Sequence, residues 1–129
     1  MNEGLHQAGE DYLEAILQLQ KNYDEVRSVD VANTLGVSRP SVNKAIGVLK
    51  EKGFVKQEHY GSIKLTDDGY NYAIEIMQRH TTIKRFLTDI LKVENSIADS
   101  DACKMEHAVS RETMLSMTKY LQQIMGENL

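Results

Sequence analysis

The chain has 129 residues, 41% of them hydrophobic and 26% charged, with a formal net charge of −4, which fits a folded, soluble domain or two small subdomains sharing a core. No apolar run approaches the roughly 18 residues that span a bilayer, and the opening MNEGLHQAGEDYLEA lacks the basic and apolar regions of a signal peptide, so a cytoplasmic location without a membrane partner is expected. A single cysteine, Cys103, excludes an internal disulfide and leaves that residue as a buried small hydrophobe, a reactive thiol or a ligand.

In chain order, Leu13, Ile16, Leu17 and Leu19 predict a helix from about Glu10 to Asn22, with Asp11 and Glu14 three apart on one side. Ser28 reads as the N-cap of a short helix over VDVANTL that stops at Gly36. Ser38 then caps RPSVNKAIGVLKEKG, where Pro40 suits the first turn, Val42, Ala45, Ile46 and Leu49 are helically spaced, and Gly53 ends the element. Two short helices across a Gly-containing tight turn predict a helix-turn-helix, with Ser41, Asn43 and Lys44 near the start of its second helix, where base-edge contacts are made. The runs Phe54 to Glu58 and Ser62 to Leu65, joined at Tyr60-Gly61, predict a two-stranded wing offering Lys56, His59 and Lys64 to phosphates or the minor groove. From Arg27 to Lys64 the basic residues Arg27, Arg39, Lys44, Lys50, Lys52, Lys56 and Lys64 face three acids, a local +4 in a chain whose remainder carries −8. A basic module in an acidic body fits a DNA-facing unit joined to one whose carboxylates take cations, and a protein-interaction winged helix is the bland alternative.

After Thr66, a capping residue followed by two acids, TDDGYNYAIEIMQRHTTIKRFLTDIL predicts a long helix. A break near KVENS leads to a helix from about Ser96 to Ala108, and Ser110 caps a last one from Arg111 to Met125 with a broad apolar surface. In a helix, Cys103, Glu106 and His107 share one face, so a thiolate, a carboxylate and an imidazole could ligate a transition metal. By themselves they read more readily as a buried Cys with a surface Glu and His. Asp11, Glu14 and the mid-helix His80 add donors that three helices could bring around one or two cations. No Gly-rich phosphate loop or nucleophile and base arrangement occurs, which argues against an enzyme and a small-molecule substrate.

These blocks resemble the diphtheria-toxin-repressor family of metal-dependent transcriptional repressors, including its manganese-responsive branch. EDYLEAILQL resembles the family's first helix, VANTLGVSRPSVNKAIGVLKEKGFV its helix-turn-helix, IKLTDDGY the end of its wing, QRH its long linking helix and DACKMEHAVS its metal-binding helix. The resemblance implies that Asp11, Cys103, Glu106 and His107 form one metal site, that Glu14 and His80 serve a second or neighbouring one, and that Ser38, Pro40, Ser41, Asn43 and Lys44 lie on the recognition segment. Manganese-responsive members have a carboxylate where this chain has Cys103, and iron-responsive members have a Met where it has Asp11 and continue into a further C-terminal domain. Lys84 stands where the family often has an acid. The donor set is a hybrid, with sulfur favouring Fe(II), Co(II), Ni(II) or Zn(II) and the carboxylates keeping it open to Mn(II).

The expected architecture is mainly α. A winged helix-turn-helix DNA-binding domain over 1–65 precedes an all-helical metal-binding and dimerisation domain over 66–129, with ligands also from the helix at 10–22. The expected function is a homodimeric repressor of metal-uptake genes, activated by Fe(II) or Mn(II), one or two ions per subunit, on a palindromic double-stranded DNA operator. The alternative is a winged-helix redox sensor using Cys103.

Overall fold

The computed structural model describes residues 5–58 and 61–126, so His59 and the Tyr60 half of the expected wing turn lie outside the described residues. The chain forms two compact units, Met1–Glu75 and Ile76–Leu129. The first contains α1 (Gln7–Asn22), α2 (Ser28–Leu35), α3 (Arg39–Glu51) and an antiparallel hairpin of β1 (Val55–Gln57) and β2 (Ile63–Leu65). α1 packs on α2, α3 and β2, and Leu13, Ile16, Val31, Val42, Ile46, Leu49 and Ile63 are all but fully buried. Each such Leu or Ile stabilises the unit by about 1.5–3 kcal/mol.

The helix ends differ from the sequence expectation for local reasons. α1 starts at Gln7, three residues before the expected Glu10, without a side-chain cap. Its first turn is held from a distance, because the Tyr72 hydroxyl donates to Glu10 Oε2 at 2.6 Å and accepts from the Leu5 N–H at 2.8 Å. At α2 the cap is Arg27 rather than Ser28: the Arg27 N–H donates to Asp30 Oδ2 at 2.9 Å, and the Ser28 hydroxyl reaches across to Asn43 Oδ1 of α3 at 2.8 Å. The other signals act where they were read. Gly36 closes α2 at φ 69°, and Ser38 Oγ accepts from the Ser41 N–H at 3.2 Å with Pro40 in the first turn of α3.

The hairpin pairs Val55 with Leu65, Lys56 with Lys64 and Gln57 with Ile63. Its inner strand carries a further bridge that the sequence pattern did not signal, from the Ile63 N–H to the Val26 carbonyl at 2.7 Å. The wing is rooted in the first turn of α4 (Asp67–Arg85). Thr66 donates through its N–H to the Phe54 carbonyl at 3.0 Å and through its hydroxyl to the Gly53 carbonyl at 2.6 Å, and its Oγ1 accepts from the Gly69 N–H at 3.1 Å. A Cβ at position 69 would stand 1.9 Å from the Phe54 carbonyl oxygen, which explains a glycine inside a helical first turn.

α4 continues beyond residue 76 into the second unit and ends in a π-helical turn, Phe86–Ile90. The break expected near KVENS is made by Lys92 at φ 61°, followed by α5 (Asn95–Met105) and α6 (Arg111–Met125). Ile83, Leu87, Ala98, Ala102 and Met114 form the core of this unit. Ala98 and Ala102, one turn apart and fully buried, keep α5 close to α4. α5 stops at Met105, short of the expected Ala108, because the Ala108 and Val109 N–H groups both donate to the Met105 carbonyl and tighten the chain into a turn. Ser110 Oγ then accepts from the Thr113 N–H at 3.1 Å and starts α6. No helix among the described residues is long and apolar enough to cross a membrane.

Candidate metal centre and nucleic-acid surface

In the second unit, His80 of α4 meets the end of α5. Its Nδ1 lies 2.8 Å from Glu106 Oε1 and 3.8 Å from Cys103 Sγ, and its Nε2 lies 3.0 Å from Asp99 Oδ1. Glu106 Oε2 is 3.5 Å from His107 Nε2, so the two oxygens of one carboxylate face two imidazoles. Cys103 is exposed and forms no disulfide, whereas the Glu106 side chain is 2% exposed. A carboxylate removed from water to this degree requires compensating positive charge or hydrogen-bond donors.

Helix ends explain the placement. Cys103 occupies the last turn of α5, and Glu106 and His107 lie in the turn that follows. Arg79 Nη1 donates to the Glu106 carbonyl at 3.0 Å, supplying a partner to one of the carbonyls that a helix terminus leaves open. One turn along α4 from His80, Lys84 Nζ pairs with Asp99 Oδ1 at 3.3 Å. The hydrogen bond from His80, and then that from Lys84, hold the Asp99 carboxyl below its ordinary range. Asp99 and Arg79 were not singled out from sequence, and Lys84 was noted only for standing where the family often has an acid; 80 with 84 and 99 with 103 share the one-turn spacing that could have indicated them.

His80, Cys103 and Glu106 fit a transition-metal ion by the chemistry of their donors. One nitrogen, one sulfur and one carboxylate oxygen lie within 4.8 Å of one another, whereas bonds of about 2.0–2.3 Å at tetrahedral angles need donors roughly 3.3–3.8 Å apart. The resemblance grouped Cys103 and Glu106 with Asp11 and His107 and set His80 in a neighbouring site; in the structure His80 stands beside Cys103 and Glu106. In the first unit Asp11 and Glu14 are half-buried one turn apart on α1.

The candidate nucleic-acid residues are on the surface of the first unit. Arg39, Pro40, Ser41, Asn43 and Lys44 are exposed along the start of α3, next to the capping Ser38. On the wing, Lys56 and Lys64 lie opposite each other, a repulsive arrangement relieved by Glu58 at 3.8 and 3.4 Å. Arg27 pairs with Glu25 at 2.6 Å. These surface pairs are weak and can exchange for phosphates.

Residues 4–63 match the family model of the iron dependent repressor N-terminal DNA binding domain, and residues 66–126 match that of the iron dependent repressor metal binding and dimerisation domain. An HTH-type transcriptional regulator of Methanocaldococcus jannaschii is 33% identical over 119 residues, covering 92% of this chain and 95% of its own length. The transcriptional regulator MntR of Salmonella typhimurium is 39% identical over 114 residues, covering 88% of this chain and 72% of its own. A solved structure described as a manganese-dependent transcriptional repressor in complex with manganese superimposes with a TM-score of 0.77 at 31% identity, covering 88% of this chain; this chain spans about half of it, 52%.

Proposed function

The chain belongs to the iron-dependent repressor family of metal-dependent, DNA-binding transcriptional regulators, and from that membership we propose that it is a homodimeric repressor of metal-uptake genes activated by Fe(II) or Mn(II). Members of this family regulate transcription rather than catalyse reactions. The observation that carries the metal reading is the convergence of His80 Nδ1, Cys103 Sγ and Glu106 Oε1. These three are the ligands of the proposed centre, and the family resemblance adds Asp11, Glu14 and His107. One or two ions per subunit are compatible with Glu106, whose second oxygen faces His107.

A bound cation supplies coordination bonds and positive charge to a carboxylate buried at 2% exposure. His80 holds its donor nitrogen from α4, while Cys103 and Glu106 hold theirs from the end of α5 and the turn before α6, so the three link the elements of the second unit. α6 exposes Leu115, Tyr120, Ile124 and Met125, of which Tyr120 and Ile124 stand one turn apart, apolar surface available for pairing with a second copy. On each protomer Ser41, Asn43 and Lys44 would enter the major groove of a palindromic operator while Arg27, Arg39, Lys56 and Lys64 hold its phosphates; two such helices reach half-sites about 34 Å apart. Sulfur at position 103 moves preference from Mn(II) toward Fe(II), Co(II), Ni(II) or Zn(II), and the carboxylates retain Mn(II).

Titration calorimetry of the metal-stripped chain with Mn(II), Fe(II), Co(II) and Zn(II), followed by operator binding with each, tests this reading. Metal-strengthened DNA binding is expected, and equal binding without metal would overturn it. Exchanging Cys103→Glu is expected to move the ranking toward Mn(II). For the redox alternative at the exposed Cys103, peroxide-sensitive, metal-independent DNA binding would be the favouring result.

A further inference from the structure

Two one-turn pairs meet across the second unit: His80 and Lys84 on α4, Asp99 and Cys103 on α5. Asp99 Oδ1 is shared between them, 3.0 Å from His80 Nε2 and 3.3 Å from Lys84 Nζ. The opposite ring nitrogen, Nδ1, is the one beside Cys103 and Glu106. We propose that Asp99 is the positioning residue of the metal centre, accepting the Nε2–H of His80 so that the Nδ1 electron pair is aimed at the cation, and that Lys84 weakens this aid by drawing on the same oxygen. The proposal rests on the metal reading above and adds to it two residues that touch no metal.

The physical grounds are those of any imidazole ligand. A neutral ring carries one N–H and one electron pair, and a carboxylate on the N–H side selects the tautomer, fixes the ring plane and raises the basicity of the donor. Asp99 is placed to do all three because Ala98 and Ala102 hold α5 close to α4 on the neighbouring face. The Lys84 ammonium opposes the last effect, since a carboxylate oxygen engaged by a cation is a poorer acceptor for the ring.

Co(II) titration of the full metal-stripped chain, read by the thiolate-to-cobalt charge-transfer band of Cys103, tests the assignment with three variants. Asp99→Ala is expected to weaken Co(II) binding by about tenfold, the lower end of what an orienting partner of a metal-bound His contributes. Asp99→Asn keeps an acceptor oxygen and is expected to recover most of that loss, while Lys84→Met is expected to tighten binding. In the Zn(II)-loaded protein, the His80 nitrogen resonances are expected to show an Nε2–H in slow exchange that Asp99→Ala loses. Unchanged affinity in Asp99→Ala, equal losses in Asn and Ala, or weakening by Lys84→Met would each overturn the proposal while leaving the metal reading intact. Absence of the cobalt band in the unaltered chain would instead overturn the metal reading, and this assignment with it.

Discussion

His80 Nδ1 lies 2.8 Å from Glu106 Oε1 although 26 residues separate them in the chain. Both atoms are offered to the same ion in the proposed centre, so Glu106→Gln, nearly isosteric, is expected to lower Co(II) affinity at least tenfold. The variant should remain folded, because the amide fills the same buried space without a charge to compensate. Cobalt absorbance and far-ultraviolet dichroism measure the two effects, and unaltered cobalt affinity would remove Glu106 from the ligand set.

Lys44 is exposed on the first turns of α3, far in sequence from every candidate ligand. Lys44→Ala is expected to weaken operator binding and to reduce the slope of log affinity against log salt by about one if the side chain meets a phosphate. Metal affinity measured by calorimetry should stay the same. An undiminished slope with weaker binding would move Lys44 from phosphate contact to base readout.

Gly69→Ala is expected to destabilise the protein by about 1–3 kcal/mol or more, as overpacking does. The added Cβ would press on the Phe54 carbonyl at 1.9 Å, and that carbonyl is backbone already bonded to the Thr66 N–H. Urea denaturation gives the value. Since the strain falls at the root of the wing, a weaker operator complex should accompany it.

Lys92 sits at φ 61°, a region in which a side chain costs about 1–2 kcal/mol. Lys92→Gly relieves that strain but adds freedom to the unfolded chain, so the expected result is a gain of up to about 1 kcal/mol. A loss of stability in urea would show that the Lys92 side chain makes a contact worth more than the strain.

Glu94 caps α5, accepting from both the Ser96 hydroxyl and the Ser96 N–H. The hydroxyl bond foremost holds its carboxyl below the ordinary value. A folded-state value below the unfolded one means stability present above the unfolded value, near 4.5, and lost as pH falls through the folded value. Thermal melts of the unaltered chain should therefore drop below pH about 4.5 more than those of Glu94→Gln, and parallel curves would count against the cap.

Features settled within a turn or two of chain could be read from the residues alone. Gly36, Ser38, Pro40, Gly53, Thr66 and Ser110 end or begin elements where they were read, because caps and left-handed turns are satisfied by groups a few residues away. The spacing of Cys103, Glu106 and His107 was legible for the same reason, although the helix it assumed through residue 107 ends at Met105. Tertiary structure decided the rest. It extended α1 to Gln7 through Tyr72 and Glu10, moved the α2 cap to Arg27 while Ser28 bonded Asn43, and ended α5 at Met105 so that Glu106 and His107 lie in a turn. It also chose what stands beside the thiol: His80, whose other ring nitrogen meets Asp99, arrives because Ile83, Leu87, Ala98 and Ala102 pack α4 against α5. Such packing depends on the shapes of side chains distant in sequence, which no local spacing records.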